Sequence, residues 1–220
     1  EGDSDDAGRC QKQELLELID KLNNDKKING ILIQLPLPSH INESLILNSV
    51  SSDKDVDGFH PINAGNLFEG KPSFIACTPH GILKMLEHYN VEIEGKNAVV
   101  LGRSNIVGKP AAILLLQKNA TVTICHSKTQ NLEGILKEAD IIVAAIGRAN
   151  FVKGNMVKKG AIVVDVGINR LESGKLVGDV NFDEVEPISE LITPVPGGVG
   201  PMTITMLLWN TVLSYEKSVS

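Results

Sequence analysis

The sequence predicts a doubly wound parallel α/β fold, and three of its features carry that prediction. Four short apolar segments rich in β-branched residues, NAVVLG (97–102), TVTIC (121–125), ADIIVAAIG (139–147) and AIVVDVG (161–167), alternate with helical or loop stretches. Strands that read as near-continuous apolar runs with such connections belong to a parallel sheet covered on both faces. A glycine-bearing turn, GRSNIVGKP (102–110), joins the first of them to the apolar helix AAILLLQK (111–118), the order of a βαβ unit. A chain of 220 residues, 42% of them hydrophobic, can also bury a sizeable core, as one large domain or two small ones.

Taken in order, residues 1–10, EGDSDDAGRC, are polar and aperiodic and read as a flexible leader or the scar of a removed segment. Leu15, Leu18, Ile19 and Leu22 then share one helical face, and GILIQLPL (30–37) is a short apolar run ended by prolines; the pattern predicts a helix followed by a buried strand. ESLILNSV (43–50) repeats the helical spacing. SSDKDVDGFHPINAGNLFEGKPSF (51–74) is rich in Asp, Asn, Gly and Pro and predicts a long loop, which in a compact protein is usually functional. TPHGILKMLEHYN (78–90) predicts a connecting helix with Thr78 as its cap and Pro79 in the first turn. Beyond the four strands, two short runs about Ser173-Gly174 in INRLESGKLVGDV (168–180) predict a hairpin. ITPVPGGVGP (192–201) then leads into a final helix, MTITMLLWNTVLSYEK (202–217).

Charge and cysteine usage exclude several classes. The formal net charge is −6 with no basic stripe, so the sequence offers no electrostatic footprint for nucleic acid or an anionic membrane surface. Cys10, Cys77 and Cys125 are odd in number, with no C-x-x-C pair, and suggest neither a disulfide framework nor a metal site. No uncharged apolar run reaches membrane-spanning length, and the N-terminus is acidic where a targeting peptide would be basic. A soluble, cytoplasmic, metal-free protein is expected.

The turn after the first strand matches neither phosphate-binding motif fully. Five residues separate Gly102 from Gly108 and Pro110 stands where a Walker hydroxyl would be, while Ser104 replaces the middle glycine of a dinucleotide fingerprint. Its context is nonetheless that of an anion seat, with backbone N–H groups at a helix start; a purely structural turn is the alternative. The second strand ends in His126, Ser127, Lys128 and Thr129 rather than the acid that binds ribose hydroxyls in NAD enzymes. Arg103 adds a planar cationic fork. These residues favour NADP over NAD, against the reading that Ser127 and Lys128 are only a solvated loop.

Seven segments, GILIQLPLP (30–38), DKDVDGFHPINAG (53–65), GRSNIVGKP (102–110), CHSKT (125–129), VDVGINR (164–170), VGDV (177–180) and TPVPGGVGPMT (193–203), together resemble one family. It is the bifunctional methylenetetrahydrofolate dehydrogenase/cyclohydrolase family, and the resemblance runs from about Glu14 to about Leu213. The resemblance implies a smaller α/β catalytic domain over 1–79, incomplete at its N-terminus, a Rossmann-like NADP domain over 80–200, and a C-terminal helix over 201–220 that returns to the catalytic domain. It further implies that Gln34 and Asp57 serve catalysis, with Asp57 gripping the pterin through a bidentate contact. Pro196, Gly197 and Gly200 would line the folate, and Gly102, Arg103, Ser104, Ser127 and Ile168 would contact NADP. A homodimer paired through the nucleotide domain is also implied, with the hairpin as a candidate contact. Without the resemblance, Gln34 would read as a strand-end amide satisfying loop backbone, and Asp53, Asp55 and Asp57 as a solvated turn; His60, His80 and His126 are assigned no role.

One family feature has no counterpart. The Tyr-x-x-x-Lys helix, whose lysine handles proton transfer in the cyclohydrolase step, is not matched: the tyrosines are Tyr89 and Tyr215, and no lysine precedes Lys12. The expectation is that water attack would suffer more than hydride transfer, with a non-catalytic NADP-binding remnant of the same fold as the alternative. Another oxidoreductase of the broader Rossmann group would explain the glycine turn but neither DKDVDGF nor PVPGGVGP.

Overall fold

The computed structural model describes residues 12–219; the polar leader and Cys10 lie outside them. Five strands, β1 (Asn97–Leu101), β2 (Thr121–Cys125), β3 (Ile141–Ala144), β4 (Ile162–Asp165) and β7 (Leu191–Ile192), form one sheet in the order β2-β1-β3-β4-β7. Every neighbouring pair is parallel. The predicted hairpin is present as β5 (Asn169–Arg170) and β6 (Leu176–Val177), antiparallel. It turns at Gly174.

Alternation along each strand sends successive side chains to opposite faces, and the two faces have separate cores. Ala98 and Val100 of β1 and Ile141 and Val143 of β3 pack with Ile82 and Leu86 of α4 (Cys77–His88) and Leu114 and Leu115 of α5 (Gly108–Gln117). Their neighbours Val99, Leu101, Ile142 and Ala144 pack on the other side with Leu136 of α6 (Leu132–Lys137) and Val185 of α7 (Phe182–Val185). The sheet is therefore doubly wound, and the buried residues of its central strands are apolar up to Asp165 at the end of β4, because both faces are covered.

A third cluster, Ile19, Ile31, Ile41, Ile46 and Val50, holds α1 (Lys12–Asn24) against α2 (Glu43–Ser49). The long helix α8 (Val199–Val219) ties this N-terminal part down. Asn210 Nδ2 donates to the Val56 and Ile75 carbonyls at 2.8 and 3.0 Å, and the Ser214 hydroxyl donates to the carbonyls of Asn29 and Asp53. The start of α8 meets α4, where the hydroxyls of Thr78 and Thr203 are 2.9 Å apart.

Four expectations need correction. GILIQLPL is not a strand: Ile31 alone bridges, to Asp55, its N–H on the Lys54 carbonyl at 2.8 Å, and the prolines at 36 and 38 bring no donor with which to extend a ladder. The 51–74 stretch is not loop throughout, since α3 (Pro61–Phe68) forms within it. Its cap is His60, whose Nδ1 accepts from the Ile62 N–H, followed by Pro61 at the first helical position; an imidazole is an unusual cap, so the start was hidden. Thr78 is not a cap, because α4 begins at Cys77 after Ala76 and the Thr78 hydroxyl turns to Thr203 instead. The two-residue strand β7 inside the proline-glycine approach was too short to leave a pattern.

Candidate active site

The sheet order reverses direction at β1 and β3, the switch point where open α/β sheets present ligands beyond the carboxyl ends of their strands. A cavity of about 290 Å³ opens there, bordered by Gly102 and Arg103 after β1, His126 and Ser127 after β2, and Arg148 and Phe151 after β3. Gly102 has φ +132°, and a Cβ on it would stand 2.2 Å from the Ala145 carbonyl oxygen. Only glycine permits that approach. The turn after β2 is shaped by its own polar groups: the His126 N–H donates to the Thr129 hydroxyl at 2.8 Å and the Lys128 N–H to His126 Nδ1 at 3.1 Å.

Ser104 does not border this cavity. Its hydroxyl accepts from the Val107 and Gly108 N–H groups at 3.1 and 3.2 Å, and its carbonyl from the Lys109 N–H at 3.0 Å. Pro110 has no N–H, so the donors at the start of α5 are already engaged. The open anion seat expected there is filled by Ser104, and the cavity's cationic character comes from arginine side chains.

Ile168 lies elsewhere along the same sheet edge. It borders a second cavity of about 200 Å³ with Pro196, Gly197 and Gly200. Between the two cavities stand two buried carboxylates that sequence reasoning missed. Asp165, at the end of β4, accepts from the N–H groups of Gly167, Asp179 and Val180. Asp179 accepts from three successive N–H groups, those of Ile146, Gly147 and Arg148, at 2.6, 2.9 and 2.8 Å, and from Asn169 Nδ2 at 2.9 Å. Burial pushes Asp165 up to about 6, against the backbone N–H groups that favour its charge. VGDV signalled only a motif; that its aspartate would be fully enclosed required the tertiary structure.

Asp57 sits in the turn between Asp55 and α3. Burial first, then the neighbouring Asp55, raise its carboxyl to about 6, opposed by a hydrogen bond from the Ile33 backbone. That bond ties Asp57 to Ile33, the residue before Gln34, while the exposed Gln34 amide donates to the Leu35 carbonyl at 3.0 Å. Asp55 is structural: its Oδ2 accepts from the His60 N–H and Asn63 Nδ2, both at 2.8 Å. The three aspartates are thus not one solvated turn. The Asp57 carbonyl accepts from the Cys77 N–H at 3.3 Å, which leads directly to Thr78, Thr203 and the proline-glycine segment. Cys77 is itself inert, its thiol pushed up to about 12 by burial and by Asp57. Among the described residues no group of three or more His, Cys, Asp or Glu could hold a metal ion, and no helix is long and apolar enough to cross a membrane.

A doubly wound parallel sheet with a glycine-walled, arginine-bordered cavity at its switch point defines a dinucleotide-binding α/β protein. Two domains described as the catalytic domain and the NAD(P)-binding domain of tetrahydrofolate dehydrogenase/cyclohydrolase match residues 5–57 and 76–219. The chain belongs to the tetrahydrofolate dehydrogenase/cyclohydrolase family. It is 62% identical over 206 residues to the bifunctional protein FolD of Enterococcus faecalis, covering 94% of this chain and 73% of that protein. The FolD structure from Campylobacter jejuni superposes with a TM-score of 0.93 at 57% identity, over 96% of this chain and 75% of that one. A Trypanosoma brucei dehydrogenase-cyclohydrolase, solved with NADP cofactor and inhibitor, gives 0.92 at 40% identity over the same shares, 96% and 75%.

Proposed function

We propose that this chain oxidises 5,10-methylenetetrahydrofolate to 5,10-methenyltetrahydrofolate with NADP and hydrolyses the product to 10-formyltetrahydrofolate. In the first reaction the methylene carbon gives up a hydride and becomes a methenyl cation; in the second, water adds to that carbon, a proton is lost and its bond to N5 breaks. NADP, when bound, supplies the hydride acceptor. The chain's own residues bind and orient. Gly102, Arg103 and Ser127 would hold the coenzyme at the switch point, with Ser104 fixing the turn, and Ile168 would meet its reactive end beside the proline-glycine segment. Asp57 would accept two N–H bonds from the pterin's aminopyrimidinone edge, with Pro196, Gly197 and Gly200 offering backbone against the flat ring and Gln34 positioning groups around the reacting carbon.

The observation that carries this reading is the course of α8. It starts at the proline-glycine cavity on the sheet edge, and midway along it Asn210 hydrogen-bonds the carbonyls of Val56, next to Asp57, and Ile75. In this reading one helix would fix Asp57, as the pterin-gripping carboxylate, relative to the coenzyme side. A non-catalytic remnant is not favoured at identities of 62% and 57% over nearly the whole chain. In the same reading residues 1–79, 80–200 and 201–220 are catalytic domain, NADP domain and returning helix, and the protein is a cytoplasmic homodimer with the hairpin about Ser173-Gly174 as a contact. The test is NADPH formation dependent on methylenetetrahydrofolate, followed by absorbance. A folded protein that forms no NADPH at saturating substrate would sink the proposal.

A further inference from the structure

The coenzyme cavity holds a second guanidinium that no sequence motif pointed to. Arg148 follows β3, across the cavity from Arg103 after β1, and both border the same space. Among the described residues no carboxylate forms an ion pair with either one, in a protein whose formal net charge is −6. Two unpaired cations on one cavity, with Ser127 bordering the same space and no acid in the wall, are arranged for an anion of more than one charge.

Arg148 is also held in place. Its guanidinium carbon lies 4.5 Å from the centre of the Phe151 ring, a stacking that occupies one face of the planar group and leaves its in-plane N–H donors free. Its backbone N–H, with those of Ile146 and Gly147, is gripped by the fully buried Asp179. A side chain anchored at both its root and its tip loses little freedom on binding.

We infer that Arg148 discriminates NADP from NAD, its guanidinium reading the additional phosphate from the β3 side of the cavity as Arg103 does from the β1 side. The inference rests on the NADP reading above. Calorimetric titration of the purified protein with 2′,5′-ADP and with 5′-AMP, fragments that differ by that phosphate, tests it without turnover. Arg148→Gln should weaken 2′,5′-ADP about tenfold and leave 5′-AMP within about twofold, the size expected for one charge-assisted contact. Arg148→Lys, which keeps the charge but not the fork, should fall between. Equal weakening of both fragments would assign Arg148 to the adenine or the shared phosphate and overturn the inference, as would an unchanged 2′,5′-ADP affinity. If the unsubstituted protein binds the two fragments equally, the NADP reading itself fails, which is a separate outcome.

Discussion

Gly102 meets Ala145 so closely that a single added carbon would sit 2.2 Å from the Ala145 carbonyl oxygen. This contact joins β1 to β3 at the point where the chain changes direction through the sheet, and the coenzyme cavity opens over it. Gly102→Ala must move one strand end away and also force φ +132° on an alanine, together costing about 3 kcal/mol. Urea denaturation should report that loss. Because the displaced backbone is the cavity wall, NADP affinity should fall at least about tenfold, and full retention of both stability and affinity would refute the close-contact account.

Much of this site could be read in the sequence, for identifiable reasons. The central strands announced themselves because both sheet faces are buried there, so β1, β3 and β4 read as largely apolar runs, while the edge strand β2 showed through its β-branched residues. Gly102 and Asp57 were singled out as candidates through motifs, each spaced along one stretch of chain. Arg148, Asp179 and Asn210 were not, since each acts on backbone or cavity more than thirty residues distant, as in the Asp179 to Ile146 bond, and local pattern carries no trace of such partners. The strand expected at GILIQLPL failed for the converse reason: apolar content was right, yet a strand exists only where a neighbour completes its ladder.

Asp179 should be among the least tolerant positions. Asp179→Ala would strand the N–H groups of Ile146, Gly147 and Arg148 without their acceptor, each a buried or half-buried donor whose loss of partner is costly. A destabilisation of about 3 kcal/mol or more is expected, seen as a lowered melting temperature. Asp179→Asn retains one acceptor oxygen and should recover part of it. A melting temperature unchanged in Asp179→Ala would show that the carboxylate does not organise the turn.

Asn210 tests the link between α8 and the proposed pterin side. Its amide satisfies two carbonyls flanking Asp57 and is almost fully buried. Asn210→Leu, of similar volume, should cost about 2 kcal/mol through the unsatisfied carbonyls. The functional effect should be lopsided: KM for methylenetetrahydrofolate rises, while affinity for 2′,5′-ADP, measured by calorimetry, stays within about twofold because the coenzyme cavity lies beyond the helix start. A matching loss of both affinities would mean that α8 supports the whole fold rather than this one wall.

Asp57 carries the clearest pH prediction, and its sign differs from that of an ordinary salt-bridged acid. Burial and Asp55 raise its carboxyl from 3.8 to about 6, so between these values the folded protein holds a proton that the unfolded chain has released. Stability contributed by this group is therefore present below pH 4 and is lost as pH rises through about 6. Ionised Asp57 is a destabilising group, and its retention fits the proposed role, in which a carboxylate would accept two N–H bonds from the pterin. Asp57→Asn should accordingly melt at a higher temperature than the unsubstituted protein at pH 8, and the advantage should vanish toward pH 4, where the aspartate is neutral in both states. The same substitution should raise KM for methylenetetrahydrofolate by about tenfold or more and remove the rise in KM that the unsubstituted enzyme should show on acidification through pH 6. Melting curves at the two pH values, set beside KM profiles, would separate these effects; a variant less stable at pH 8 than at pH 4 relative to the parent would reverse the sign and exclude a raised carboxyl at this position.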